Sequence, residues 1–247
     1  MMAVVRKIYC DVLHLTQHDE GVYSVYLAPH KKLPKFRPGQ FCHLAIDDYD
    51  PSSFWPESRA FSIASSPKNR EQLRICYSVV GNFTQRMQRN LYPGRGVWVK
   101  LPYGEFVVGD HQCTVLVAGG TGISPFLAFI EDLQEYNRHK VYLVYGARNE
   151  KLLIDVQMML KKAMTISNFS LVLFSENGFN STTLASSKAK CHCIEGRINS
   201  KLLTKLIAKD SSASIYLSGP PAMISKFKDD LKRGGVSPDH VYIDAWD

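Results

Sequence analysis

Residues 59–67, RAFSIASSP, place an arginine, an aromatic ring and a hydroxyl close together on a predicted strand. Because side chains alternate across a strand, Arg59 and Phe61 project from one face and Ser62 from the other. A guanidinium can grip a phosphate through two hydrogen bonds, and a ring can stack on a flat heterocycle. The motif therefore suits a ligand with both groups. Taken alone, it equally fits an edge strand with a surface arginine and a core phenylalanine.

A second candidate anion site is GNFT, residues 81–84, which opens a predicted helix over 84–91. Gly81 permits close approach of the backbone, and Thr84 can cap the helix and donate its hydroxyl. The amides at a helix N-terminus attract anions.

The stretch VLVAGGTGISP, residues 115–125, predicts a buried strand, a glycine turn and the start of a helix. Strand, turn and helix in this order hold phosphates in many proteins. The spacing matches neither G-x-G-x-x-G nor a P-loop, which needs Lys followed by Ser or Thr. The turn alone leaves its ligand open.

The chain that must position these residues has two halves with different hydrophobic patterns. Up to about residue 108, six short alternating runs separated by Pro/Gly turns predict an antiparallel barrel or sandwich. From about residue 113, strands alternate with helices near 125–137, 151–164, 199–208 and 221–233, which indicates a parallel sheet. Its predicted strands are CTVLVA, KVYLVYG, FSLVLFS, ASIYLSG and HVYIDA.

Ligands of such sheets bind at the carboxyl ends of the strands. Those ends carry residues 119–122, 146–148, 175–176 and 218–221, which we expect to share one crevice.

Composition narrows the function classes. The net charge of +7 suits an acidic protein partner or an anionic cofactor as well as nucleic acid. Because the basic residues are scattered and the sequence has no basic helix or aromatic RNA-binding motif, no nucleic-acid partner is expected. No apolar run approaches the roughly 20 residues of a membrane span, and the amino terminus shows no signal pattern, so the expected location is cytoplasmic. The cysteine spacing excludes a plant-type iron–sulfur run. Residues 191–193, CHC, lack the spacing of structural zinc, so no metal is expected.

Eight motifs, in order, span residue 37 to the end: RPGQF, RxFSxASxP, GxFT, PxGxF, GGTGISP, YGxR, SGPP and DAW. The ordered set resembles the ferredoxin–NADP⁺ reductase superfamily of flavoenzymes. The resemblance implies an N-terminal Greek-key β-barrel that binds FAD, residues 1–109, and a Rossmann-like parallel α/β domain that binds NAD(P), residues 110–247. It also implies hydride transfer from NADH or NADPH to FAD.

The resemblance assigns flavin contacts in the first half. Arg59 is expected to bind the pyrophosphate and Phe61, where the family usually has Tyr, to pack on the isoalloxazine. Ser62 is expected to hydrogen-bond near the flavin N5. The remaining expected flavin contacts are Ala60, Tyr77, Val79, Gly81, Asn82, Phe83 and Thr84.

In the second half the resemblance assigns the nicotinamide nucleotide and the catalytic set. Ser218 replaces the cysteine of the family's CGPP motif, which leaves its contribution open. Trp246, after Asp244, would cover the flavin until nicotinamide displaces it; the competing interpretation is an indole packed on the last strand. The expected catalytic residues are Ser62, Ser218, Asp244 and Trp246. The expected nucleotide contacts are Gly120, Thr121, Gly122, Arg148, Ser175, Glu176, Ser218, Gly219, Pro220 and Trp246.

Nucleotide preference depends on the end of the third strand of this half. Family members that use NADPH tend to have Ser-Arg there, and this chain has Ser175-Glu176. A carboxylate repels the 2′-phosphate and can accept hydrogen bonds from ribose hydroxyls, which favours NADH. Three basic residues favour NADPH instead, because their side chains could contact the 2′-phosphate: Arg148, Lys188 and Lys190.

The expected function is an FAD-containing NAD(P)H reductase that passes electrons to a separate acceptor, such as an acidic ferredoxin or flavodoxin. The alternatives are a reductase that passes electrons to free flavin or to another small electron acceptor, and the reductase component of an oxygenase. A non-catalytic electron-transfer subunit is a further alternative.

Overall fold

The computed structural model describes residues 4–19, 21–109, 111–180, 191–207 and 212–244. The chain forms two compact units. The first contains the chain up to Val108 together with Ser124–Asp132, and the second contains Gly109–Ile123 and the chain from Leu133 onward. The domain boundary between residues 109 and 110 stays a prediction. In the described part of the chain, no helix is long and apolar enough to cross a membrane.

The first unit is an antiparallel, nearly closed barrel, as the alternating runs predict. Its sheet has the order β4-β3-β6-β1-β2-β5, and a bridge between Ile63 and Ile75 joins its two ends. Its elements are β1 (Arg6–Gln17), β2 (Val22–Pro29), β3 (Phe41–Ala45), β4 (Arg59–Ser62), β5 (Leu73–Ser78), helix α1 (Asn82–Asn90) and β6 (Gly96–Tyr103).

Strand alternation produces the barrel core. In β1, Ile8, Cys10 and Val12 are almost fully buried, while the residues between them are more exposed. Helix α1 contributes Phe83 and Met87 to the same core. The core thereby holds α1 beside β4, so that the two predicted flavin-binding segments belong to one packed unit.

The second unit is a six-stranded sheet with the order β10-β9-β8-β7-β11-β12, in which all neighbouring strands are parallel. Its strands are β7 (Cys113–Gly119), β8 (Lys140–Ala147), β9 (Phe169–Ser175), β10 (Cys191–Glu195), β11 (Ser214–Ser218) and β12 (Val241–Ile243). Its helices are α3 (Val156–Thr165), α4 (Ser200–Ile207) and α5 (Pro221–Arg233). The parallel-sheet prediction is confirmed.

In the second half of the sequence, three local expectations were wrong. Strand β10 was missed, because this edge strand is largely exposed and carries no apolar run. Helix α2 (Ser124–Asp132) stops before residue 137, where the turn closed by the Asn137 N–H and the Gln134 oxygen follows. The helix predicted from residue 151 is a short 3₁₀ turn over Glu150–Leu152 followed by α3, because Asn149 Oδ1 caps the amides of Lys151 and Leu152.

Helix α2 follows the glycine turn in sequence and packs with the barrel in space. The Ser66 N–H donates to Glu131 Oε2 at 3.0 Å, and the Ser66 hydroxyl hydrogen-bonds Asp132. The rings of Phe106 and Phe126 lie 6.1 Å apart. The first unit is therefore built from two separate stretches of the chain.

Candidate functional site

In the first unit, the structure brings the predicted arginine and aromatic residues together. The Arg59 guanidinium lies over the Phe83 ring, with Cζ 5.2 Å from the ring centroid. The Phe61 ring is 6.5 Å from Phe83 and 6.2 Å from Tyr77. Arg59 is exposed, Ala60 and Phe61 are half-buried and Ser62 is buried. A positive group beside the half-buried Phe61 ring, which packs near the two buried rings, fits a flat ligand with a phosphate.

The N-terminus of α1 is organised by Thr84. Its hydroxyl accepts the N–H groups of Val80 and Gly81 at 3.0 and 3.1 Å and donates to the Gly81 oxygen at 3.0 Å. The hydroxyl is therefore engaged within the turn, whereas the sequence suggested donation to a ligand. Helix geometry leaves the amides of residues 82–84 without an intrahelical acceptor. A side-chain carbon added at Gly81 would meet no atom within 4 Å, so a phosphate can approach this backbone closely.

Tyr77 adds a polar atom to the same cluster. Its ring stacks on Tyr23 with centroids 5.5 Å apart, and within the described chain its buried hydroxyl has no hydrogen-bond partner. Burial, with a smaller contribution from Tyr23, raises the pKa of Tyr77. A buried, protonated hydroxyl without a partner fits a ligand that supplies an acceptor. Val79, two residues on, is held by its N–H to the Gly21 oxygen at 2.9 Å.

In the second unit, two glycine turns touch at the carboxyl ends of β7 and β11. A side-chain carbon at Gly122 would lie 2.5 Å from the Ser218 oxygen and 2.6 Å from Gly219 Cα. A carbon at Gly119 would lie 2.9 Å from Pro220 Cδ. Gly120 differs, because it has φ +55° and open space around it. The close contact fixes the turn that contains Thr121 and leaves the backbone of Gly120 accessible.

Ser218 and Asp244, both predicted to be catalytic, lie together. The Ser218 hydroxyl donates to Asp244 Oδ2 at 2.9 Å, and both residues are buried. The Asp244 N–H donates to the Leu217 oxygen at 2.9 Å, which holds the carboxylate beside β11. Trp246, Lys188 and Lys190 lie outside the described residues.

The carboxyl ends of β8 and β9 place the nucleotide-selectivity candidates next to each other. The Glu176 N–H donates to the Ala147 oxygen at 3.1 Å, and the Asn177 N–H to the Arg148 oxygen at 3.0 Å. The Ser175 hydroxyl is buried and has no hydrogen-bond partner in the described part of the structure.

Arg197, in the loop after β10, is a residue that the sequence analysis missed. Its Nε donates to Glu176 Oε2 at 2.8 Å. The sequence analysis did not predict β10. It therefore gave no indication that the segment after β10 lies beside the end of β9.

The CHC segment gives no metal cluster in the described residues, where no three His, Cys, Asp or Glu side chains converge. Cys191 and Cys193 lie on β10 with their sulfurs 4.0 Å apart. Burial is the main cause that raises the pKa of Cys193.

The described chain thus combines a barrel that carries an arginine–aromatic cluster with a parallel sheet that has glycine turns at its carboxyl edge. Residues 116–229 match the family described as "Oxidoreductase NAD-binding domain". Over nearly its whole length, the chain is also similar to electron-transfer and reductase components of other proteins.

Three similar proteins illustrate this. The anthranilate 1,2-dioxygenase electron transfer component of Acinetobacter baylyi is 26% identical over 95% of this chain and 65% of its own length. The reductase component of phenol 2-monooxygenase from Pseudomonas sp. is 27% identical over 94% of this chain and 67% of its own length. A ferredoxin NADP⁺ reductase from Neisseria gonorrhoeae, with bound FAD and NADP, has a TM-score of 0.75 at 16% identity, over 97% of this chain and 98% of that one. The chain thus spans about two thirds of the length of the first two relatives.

Proposed function

We propose that this chain is an FAD-dependent NAD(P)H oxidoreductase that delivers electrons to a separate redox protein. The observation that carries the proposal is the Arg59–Phe61–Phe83 cluster beside the open N-terminus of α1. It occurs in a chain whose second half matches an oxidoreductase NAD-binding domain. FAD supplies the hydride-accepting chemistry, and the protein binds and orients the two cofactors.

In the first unit, the proposed role of Arg59 and the amides of residues 82–84 is to hold the FAD pyrophosphate. Two anion sites suit FAD better than FMN, which has one phosphate. Phe61 packs against the flavin ring, and Ser62 hydrogen-bonds near N5. The unpartnered Tyr77 hydroxyl supplies a further donor to the flavin.

In the second unit, the turn of residues 120–122 and the Ser218-Gly219-Pro220 turn receive the nicotinamide nucleotide. The Ser218 hydroxyl is held by Asp244 and retains acceptor capacity for the nicotinamide amide.

NADH is the proposed donor. Glu176 accepts hydrogen bonds from the ribose hydroxyls, and its charge repels a 2′-phosphate. Arg197 offsets part of that charge. The kcat/KM for NADH is therefore expected to exceed that for NADPH by at most about tenfold, which corresponds to about 1.4 kcal/mol. The kcat/KM values for the two nucleotides test this choice, and a higher value for NADPH contradicts it.

The proposed acceptor is an acidic redox protein, such as a ferredoxin or flavodoxin, of an oxygenase system. Two of the similar proteins named above are the electron-transfer or reductase components of oxygenases. A net charge of +7 on this chain would speed encounter with an acidic partner. Four cysteines buried as thiols in the strands suit a reducing compartment, so we propose a cytoplasmic location.

The test is flavin binding followed by reduction. Protein loaded with FAD and desalted is expected to stay yellow and to be bleached by NADH without oxygen. Arg59→Ala is expected to lose most FAD binding and to keep riboflavin binding, because riboflavin has no phosphate. Loss of FAD on desalting together with turnover of added flavin would instead identify a flavin reductase. Absence of reduction by both nucleotides would overturn the proposal.

A further inference from the structure

Glu57 stands between two arginines in the first unit. Its Oε1 accepts from Arg59 Nη2 at 2.9 Å, and its Oε2 accepts from Arg86 Nη1 at 2.8 Å. The second terminal nitrogen of Arg59 donates to the Ser58 oxygen at 2.9 Å. The guanidinium proposed to hold a phosphate is thus already bonded to an anion and a carbonyl of its own chain.

Arg86 lies on α1, one turn beyond the proposed phosphate-binding amides, and it also bonds Asp47. Asp47, with a smaller contribution from Glu57, raises the pKa of Arg86, so the guanidinium stays charged. The two arginines and the two carboxylates together carry no net charge. A pyrophosphate that arrives here meets Glu57 as a like charge and as a competitor for the same donors.

The geometry of this network matches that of an occupied anion site. Two guanidinium groups, from β4 and from α1, donate to the Glu57 carboxylate. Each of them contacts a different oxygen of that carboxylate. A guanidinium N–H donates to a carboxylate oxygen and to a phosphate oxygen alike. All three side chains are partly exposed, so the carboxylate can move away from Arg59 at small cost.

We propose that Glu57 is an intramolecular competitor for the FAD pyrophosphate, which must displace its carboxylate from Arg59. Arg86 retains Glu57 during the exchange. The inference rests on the proposed function of the Arg59 site. Glu57 thereby lowers the affinity for FAD. The contrary role, in which Glu57 positions Arg59 for the phosphate, predicts the opposite effect of removing the carboxylate.

The experiment is a titration of the full chain, with its flavin removed, by FAD and by riboflavin, followed through flavin fluorescence. Glu57→Gln and Glu57→Ala are compared with the unaltered chain and with Glu71→Gln, a control that removes another exposed carboxylate of the same unit. We expect both Glu57 variants to bind FAD roughly two- to fivefold tighter, the range given by an exposed ion pair. The affinity of the Glu57 variants for riboflavin is expected not to change. The affinity of Glu71→Gln for FAD is expected to equal that of the unaltered chain. The gain is expected to shrink at high salt.

Unchanged or weaker FAD binding in both Glu57 variants would overturn the inference. So would an equal gain for riboflavin, because that ligand has no pyrophosphate to compete. Failure of the proposed function has a separate signature, since the unaltered chain would then not bind FAD or would not be reduced by either nucleotide.

Discussion

Gly122 offers the sharpest test of the proposed nucleotide-binding edge, because its hydrogen faces backbone rather than side chains. In Gly122→Ala the new methyl would lie 2.5 Å from the Ser218 oxygen and 2.6 Å from Gly219 Cα and N. None of these atoms can rotate aside. Ordinary contact begins at 3.4 Å, so the two turns must separate by about 0.9 Å.

The magnitude follows from that displacement. Overpacking a tight contact costs about 1–3 kcal/mol, and a contact with rigid backbone on three sides lies in the middle of that range or above. We expect Gly122→Ala to lower the free energy of unfolding by about 2 kcal/mol and the thermal midpoint by roughly 5–10 °C. The KM for the nucleotide is expected to rise, because residues 120–122 move with the turn.

Gly120→Ala is the matched control in the same turn. Gly120 has open space where the methyl would lie, and only its φ of +55° penalises alanine. That penalty is about 1 kcal/mol. Thermal unfolding of both variants, followed by circular dichroism, compares the two costs. A Gly122→Ala midpoint equal to that of the unaltered chain, or above that of Gly120→Ala, would refute the packing argument.

Three further predictions concern other parts of the molecule. Ser218→Ala removes the donor to a buried carboxyl group, so urea unfolding is expected to show a loss of about 1–3 kcal/mol, and no loss would contradict the Asp244 hydrogen bond. Burial, and then Lys100, lower the pKa of His43 below 6.5, so the unfolded chain binds more protons as the pH falls through that value. The stability of the barrel should therefore drop between pH 7.5 and 5.5, and more steeply than in His43→Gln. A thiol reagent should modify Cys191 and Cys193 in the native protein and the four buried cysteines only after unfolding; fast reaction of all six would contradict the barrel and sheet cores.

The barrel could be predicted from sequence because strands such as β1 alternate between buried and exposed side chains. Alternating burial along β1 is a direct consequence of that arrangement, and it left a readable pattern of period two. The fully buried β7 left a continuous apolar run instead. Strand β10 left neither signal, because it lies at the sheet edge with both faces largely exposed.

Contacts between distant segments account for what the sequence could not predict. The motifs at Gly122 and Ser218 were both recognised, yet their backbone contact depends on β7 and β11 being neighbours in the sheet. The pairing of Glu176 with Arg197, and the position of Glu57 between two arginines, depend on side-chain directions that no local pattern encodes. Sequence reasoning proposed the residue types of the candidate site, and the structure shows the charged side chains that pair with Arg59 and Glu176.

Anaerobic stopped-flow mixing of the FAD-loaded protein with NADH, and separately with NADPH, tests the central claim most directly. The account predicts rapid loss of the flavin's visible absorbance, faster with NADH, and reoxidation when an acidic redox protein is added. A protein that binds FAD and is reduced by neither nucleotide would contradict the account.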